Sequence, residues 1–423
     1  MREPVRNDPG DLEGRAPLLE THAVPLGAAF DLLAAFGDVY FERRGVGVAG
    51  AGRVRAFVGA ELDELVQTVR VLRTSARRGR GPAPVAIGAI GFDGNAAIAD
   101  QLIVPARVVR RTSTEATRRL DTRELDGSHE DVPPFEPVAG SAPHAPFNEI
   151  QLTEVPTPVA YEAAVAEAVR RIRAGALRKV VLARTVEVEA GRTLDPRLLA
   201  MRLRAVDPDA YTFAAPTNDG VIVGASPELL VSRMGTEVRS NPLAGSAPRS
   251  GDPEEDRANA DALADSSKDR EEHAIVVEAV AETLGPRCEE LTWDPEPVLR
   301  ETPNVWHLST RFRGRLREPS PTALDLVAEL HPTPAVAGTP RRPALELIDE
   351  LEPFERGRYA GPVGWVDANG DGEWAIALRC AELIGERAIL SAGAGIVAGS
   401  VPERELDETE RKFRAFLDSL RWG

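Results

Sequence analysis

Along residues 157–423, strand-type and helix-type segments follow one another with no regular βαβ interval, an order that argues against a parallel doubly wound sheet. Thr157 followed by Pro158 reads as a helix N-cap with proline in the first turn. Tyr161, Val165, Ala168 and Ile172 then repeat at helical spacing until Gly175. Residues 179–188 are rich in β-branched side chains, as are 221–224 and 229–232, which are split by Ser226 and Pro227. Helices are expected over 267–284, 322–330 and 403–420, and strands over 359–366 and 374–383. The last two are joined by a turn at 367–372. These hairpins imply an antiparallel or mixed sheet core wrapped by helices. Residues 1–150 carry weaker signals, and 107–158, charged and proline-rich, reads as surface loop with some strand. The expected division is therefore an N-terminal part at 1–150 and a catalytic region at 151–423.

Charge and composition narrow the function. A formal net charge of −16 repels polyanions, and the arginine-rich stretches are too short to reverse it over a face, so nucleic acid is not an expected partner. No run approaches the ~20 apolar residues that a membrane span requires, and the start lacks a leader-like apolar segment, so a cytoplasmic protein is expected. Cys288 and Cys380 have no metal-type spacing and read as small buried hydrophobes. A small anionic ligand would have to be held locally, by arginines, backbone amides or a metal ion.

Two motifs invite readings that they do not support. Asp367, Asn369, Asp371 and Gly372 open like a calcium loop, but position twelve is Leu378 instead of a glutamate, so a hairpin turn is the better reading. Residues 393–399 resemble a dinucleotide loop with the last glycine one residue late; small residues and free amides there still suit a carboxylate. More suggestive are two carboxylate pairs, Asp269 with Glu272 and Glu405 with Glu408. Each is spaced i, i+3 on one predicted helix, so each pair faces one way. Four carboxylates on two helices could clasp a hard cation such as Mg2+, or could simply complement the helix dipoles.

Seven segments, in order, carry a family resemblance: 179–184 (KVVLAR), 226–230 (SPELL), 241–246 (NPLAGS), 268–273 (KDREEH), 331–336 (HPTPAV), 357–365 (GRYAGPVGW), and 393–397 (GAGIV) with 405–408 (ELDE). Together they resemble the chorismate-utilising enzymes, the family of isochorismate, salicylate, anthranilate and aminodeoxychorismate synthases. The resemblance implies a two-lobed α/β sandwich with the site between the lobes. It implies Glu272 and Glu408 as direct Mg2+ ligands, supported through water by Asp269 and Glu405. It further implies that Arg379 and Tyr359 bind the pyruvyl carboxylate of chorismate, helped by amides of Gly393, Ala394 and Gly395. Gly245, His331 and Ala335 would line the pocket. Lys179 matches the base that activates water and Glu228 the acid that protonates the leaving 4-hydroxyl, so both are expected to be buried. In isolation Lys179 reads as a solvated lysine at a strand start, and Glu228 as a turn residue.

The resemblance also ranks the activities. Ammonia-using relatives lack the lysine at 179, and aminodeoxychorismate synthases place a nucleophilic lysine where this chain has Ala244. Isochorismate formation is therefore expected. Salicylate synthesis is the runner-up, disfavoured because Ala335 stands where salicylate synthases have a hydroxyl residue. A non-catalytic chorismate-binding protein is the alternative of a different class. A water-using enzyme needs no glutaminase subunit, and a monomer is expected. Menaquinone, siderophore and salicylate pathways all remain open as destinations for the product.

Overall fold

The computed structural model describes residues 19–26, 32, 36–59, 65–67, 69–70, 72–73, 83–93, 100–111, 117–124 and 151–421. Two large sheets dominate. The first runs Leu19–Leu26, Thr117–Glu124, Arg107–Arg111, Val46–Ala51, Val39–Arg43, Tyr211–Pro216, Val221–Ser226, Cys380–Ile384, Arg387–Ile396, Lys179–Glu189 and Gly338–Thr339, with Gln151–Val155 also paired to Lys179–Glu189. The second runs Cys288–Trp293, Phe312–Leu316, Glu237–Asn241, Leu229–Met234, Gly372–Ile376, Pro362–Asp367, Val85–Ala89, Asp100–Val104 and Arg55–Gly59. A small sheet joins Leu243–Pro248, Val305–Ser309 and Val298–Glu301. The strand pairs in all three are antiparallel, as the hairpin pattern implied.

The central strands of the first sheet are buried on both faces, and strand alternation sends neighbours to different cores. Phe41, Val48, Phe213 and Ile222 pack with Ile87, Val231 and Trp374 of the second sheet. Tyr40, Ala49, Ala214 and Val223 enter a separate core with Leu199 and Leu203 of the helix Pro196–Val206 and Phe413 and Phe416 of the helix Pro402–Arg421. Each such Val, Leu, Ile or Phe side chain contributes about 1.5–3 kcal/mol on burial. The helix Ala323–Leu330 covers the second sheet, started by a capping box between Thr322 and Asp325.

Strands from residues 19–124 complete both sheets, so the N-terminal part and the catalytic region share one sandwich. Two expectations need correction. Within 107–158, read as surface loop with some strand and no core element, Arg107–Arg111 is a strand that does enter the core, with Val108 and Val109 fully buried; residues 112–116 and 125–150 of the same stretch lie outside the described residues. The single strand expected over 374–383 is two strands, Gly372–Ile376 and Cys380–Ile384, which belong to different sheets. Cys288 and Cys380 are free and buried. Among the described residues no helix is long and apolar enough to cross a membrane.

Candidate active site

At the site the chain passes between the two large sheets at two places that lie side by side. Val221–Ser226 pairs with Cys380–Ile384 in the first sheet, while their continuations, Leu229–Met234 and Gly372–Ile376, pair in the second. Glu228 lies in one break and Arg379 in the other. The two crossings are stitched together: the Ala225 amide donates to Arg379 O (3.2 Å), and the Ile376 amide donates to Glu228 O (3.2 Å). Arg379 adopts φ of +50°, a left-handed conformation that costs a non-glycine residue of order 1 kcal/mol or more and is held here by this double crossing. Burial pushes the Glu228 carboxyl up to about 7, against a hydrogen bond from the Leu243 backbone and the attraction of Lys179.

Lys179 opens the strand Lys179–Glu189, and its side chain has no solvent exposure. Its Nζ is 3.0 Å from Glu272 Oε1, yet it makes no aligned hydrogen bond. The pair is closed from one side by Gly395, where a Cβ would stand 2.0 Å from Glu272 Oε1 and 3.1 Å from Lys179 Cε. Only glycine leaves room for the glutamate there.

The other carboxylates come from helix beginnings. Ser266 caps the helix Ser267–Leu284 by accepting from the Asp269 amide (3.2 Å), which sets Asp269 and Glu272 in its first two turns. Glu405 and Glu408 occupy the first two turns of Pro402–Arg421, the helix that lies along Arg387–Ile396. Burial, joined by repulsion from Glu272 and Glu408, raises the Asp269 pKa, and burial and Glu408 raise that of Glu405. Glu408 is held low against burial by Lys412, 2.5 Å away. Lys268 sits 3.0 Å from Glu405 and is held in its charged form, despite burial, by the surrounding carboxylates. The hard oxygen donors and their mutual repulsion suit a divalent cation. Three of them are neutralised by lysines instead, and among the described residues no three acidic, histidine or cysteine side chains gather in metal-holding geometry.

A cleft of about 600 Å³ opens over these groups. Glu228, Glu272, Glu408 and Arg379 line it, as do Gly245, Ala335, Tyr359, Gly393 and Gly395. Lys179, Asp269 and Glu405 are not on its wall; they lie behind Glu272 and Glu408. Residues 393–396, read from sequence as loop, end a strand whose Ala394 pairs with Leu182. Lys412 Nζ donates to Gly393 O (2.8 Å), so alternate residues Gly393 and Gly395 turn their polar edges toward the cleft and Ala394 turns its own into the ladder. Ala394 is accordingly absent from the wall.

His331 is absent too. Its Nε2 donates to Phe92 O (2.9 Å), its ring meets Phe92 edge-on, and burial lowers its pKa to about 3. The histidine on the cleft wall is His307, on the strand Val305–Ser309. Sequence reasoning missed it because a lone histidine in an apolar strand reads as core. Lys412, also missed, had a visible signal: it stands i+4 from Glu408 on a helix.

Residues 106–421 match the family model described as chorismate binding enzyme. The chain is 43% identical over 344 residues to the isochorismate synthase DhbC of Bacillus subtilis, covering 80% of this chain and 81% of that one. It is 44% identical over 352 residues to the putative isochorismate synthase MenF of Mycobacterium tuberculosis, covering 80% and 87%. Among solved structures, a putative 2,3-dihydroxybenzoate-specific isochorismate synthase, DhbC, from Bacillus anthracis superposes with a TM-score of 0.80 at 37% identity, covering 93% of this chain and 99% of that one.

Proposed function

The chain belongs to the chorismate-binding enzyme family, and on that premise we propose that it is an isomerase converting chorismate to isochorismate by water attack at ring carbon 2 and loss of the 4-hydroxyl. The observation that carries this reading is Glu228. A carboxyl raised to about 7 by burial, on the wall of a cleft whose other walls hold Arg379 and the carboxylates Glu272 and Glu408, retains a proton to give at neutral pH.

In this reading the Arg379 guanidinium pairs with the pyruvyl carboxylate beside Tyr359, and the polar edges of Gly393 and Gly395 border it. Lys179, enclosed behind Glu272 and paired with it in this structure, must give up that pair and act as the neutral amine, taking a proton from water as the water oxygen bonds to carbon 2. Both ring double bonds shift by one position toward carbon 4, the bond between carbon 4 and its oxygen breaks, and Glu228 gives its proton to the departing hydroxyl. Water in and water out balance, so the net change is an isomerisation. Glu272 and Glu408 would hold Mg2+, with Asp269 and Glu405 behind them. When bound, Mg2+ supplies positive charge to the ring carboxylate.

Ala335 on the cleft wall offers no hydroxyl, which favours release of isochorismate over further elimination to salicylate. Product analysis after incubation with chorismate, with and without Mg2+, tests the reading. Isochorismate formed only with Mg2+ supports it; salicylate with pyruvate overturns the product, and no consumption of chorismate overturns the enzyme.

A further inference from the structure

His307 is held at both ring nitrogens. Nδ1 lies 3.2 Å from Gly245 O, and Nε2 lies 3.2 Å from Arg379 Nη2. A guanidinium can only donate, so Nε2 must be the acceptor. The ring proton then sits on Nδ1 and goes to the Gly245 carbonyl, fixing one neutral tautomer. Gly245 sits at a bulge in the strand Leu243–Pro248: its φ is +74°, and a Cβ there would stand 3.0 Å from Asp269 Cβ. Burial, with Arg379 and Lys412 beside it, pushes the His307 pKa down to about 3, so the imidazole stays neutral across the working range.

Resting on the reading above, we propose that His307 is a positioning residue for that reaction: it anchors Arg379 to the strand bulge at Gly245 so that the guanidinium meets the substrate carboxylate already oriented. The imidazole has no proton to give and no free lone pair to take one, since both nitrogens are committed. Its work is done before chemistry begins, in fixing a long side chain whose backbone already sits in a costly conformation.

Three variants separate this role from acid–base catalysis. His307→Gln can still present an oxygen to Arg379, His307→Asn can still donate toward Gly245 but reaches too short for Arg379, and His307→Ala does neither. Each is assayed for kcat and KM with chorismate across pH, and for chorismate affinity by calorimetry. The expected result is that Gln stays within about threefold of the parent, while Asn and Ala raise KM and the calorimetric Kd roughly tenfold or more, the size of one well-placed hydrogen bond to a charged group. The limbs of the pH profile stay where they are in all three. A kcat lost in all three at unchanged KM, a vanished pH limb, or Asn outperforming Gln overturns the proposal. Should Ala fail to fold, the comparison of Gln with Asn decides. If the parent protein binds chorismate without consuming it, the isomerase reading fails, while calorimetry still judges the His307 anchor.

Discussion

Lys179 Nζ lies 3.0 Å from Glu272 Oε1, the lysine side chain fully enclosed and the glutamate 7% exposed. Removing one member of a buried pair leaves the other charge without a partner, a loss of about 3–5 kcal/mol. Lys179→Ala is therefore expected to abolish turnover and also to lower unfolding stability by about that much, measured by urea denaturation. Added Mg2+ should recover more stability in the variant than in the parent, because it would restore positive charge beside Glu272. A variant with the parent's rate would remove Lys179 from the mechanism.

Glu228 supplies a pH test. Its folded pKa of about 7 exceeds the usual carboxyl value of 4.5, so between these values the native state binds more protons than the unfolded chain. Stability must then fall as pH rises from about 4.5 to about 7, by up to about 3 kcal/mol from this group. Glu228→Gln removes the penalty, so its stability relative to the parent should be higher at pH 8 than at pH 5. The same variant should lose turnover, and the parent's kcat should decline above pH 7 as the proton is lost. Equal relative stability of parent and variant at both pH values would contradict the buried carboxyl.

How these residues meet could not be read from sequence. The family resemblance singles out Glu228 and Arg379, but their shared wall arises because two stretches of chain change sheets side by side, and the residues that pair there lie about 140–160 apart in the chain. Residues 107–111 were not expected in the core because the stretch that they open is charged and proline-rich. In the fold Arg110 lies 4.3 Å from the Trp365 ring centroid and 2.9 Å from Asp367, so its charge is satisfied inside the sandwich. The helices at 267–284 and near 403–420 were legible because their caps and carboxylate spacing are local. His307 was not, since its meaning depends on Arg379, which lies 72 residues further along the chain in the break between the two large sheets, while His307 sits in the small one.

Gly395 makes a steric prediction. A methyl group there would overlap Glu272 Oε1, which is backed by Lys179, so Gly395→Ala must turn the glutamate into the cleft or bend the strand. Displacing a catalytic carboxylate by about 1 Å is expected to reduce kcat/KM roughly a hundredfold. Shortening the neighbour in a Gly395→Ala, Glu272→Asp double variant should cost less than the two single changes added together, and strictly additive losses would argue against the clash.

The carboxylate clasp predicts how metal affinity is tuned. Lysines already neutralise Glu272, Glu405 and Glu408, so a divalent cation competes with ammonium groups and should bind reversibly, with turnover lost in EDTA and restored by Mg2+. Asp269 and Glu405 stand behind the wall, where supporting groups are typically worth 10–100-fold in metal affinity. Asp269→Asn and Glu405→Gln are each expected to weaken Mg2+ binding by about that factor with kcat retained at saturating metal, whereas Glu408→Gln, on the wall itself, should lower kcat as well. Thermal unfolding across a Mg2+ titration reads the affinities, since Mg2+ at a hundred times Kd adds about 2.7 kcal/mol of stability. Were Asp269→Asn and Glu408→Gln indistinguishable in both affinity and kcat, the division between wall and supporting carboxylates would fall.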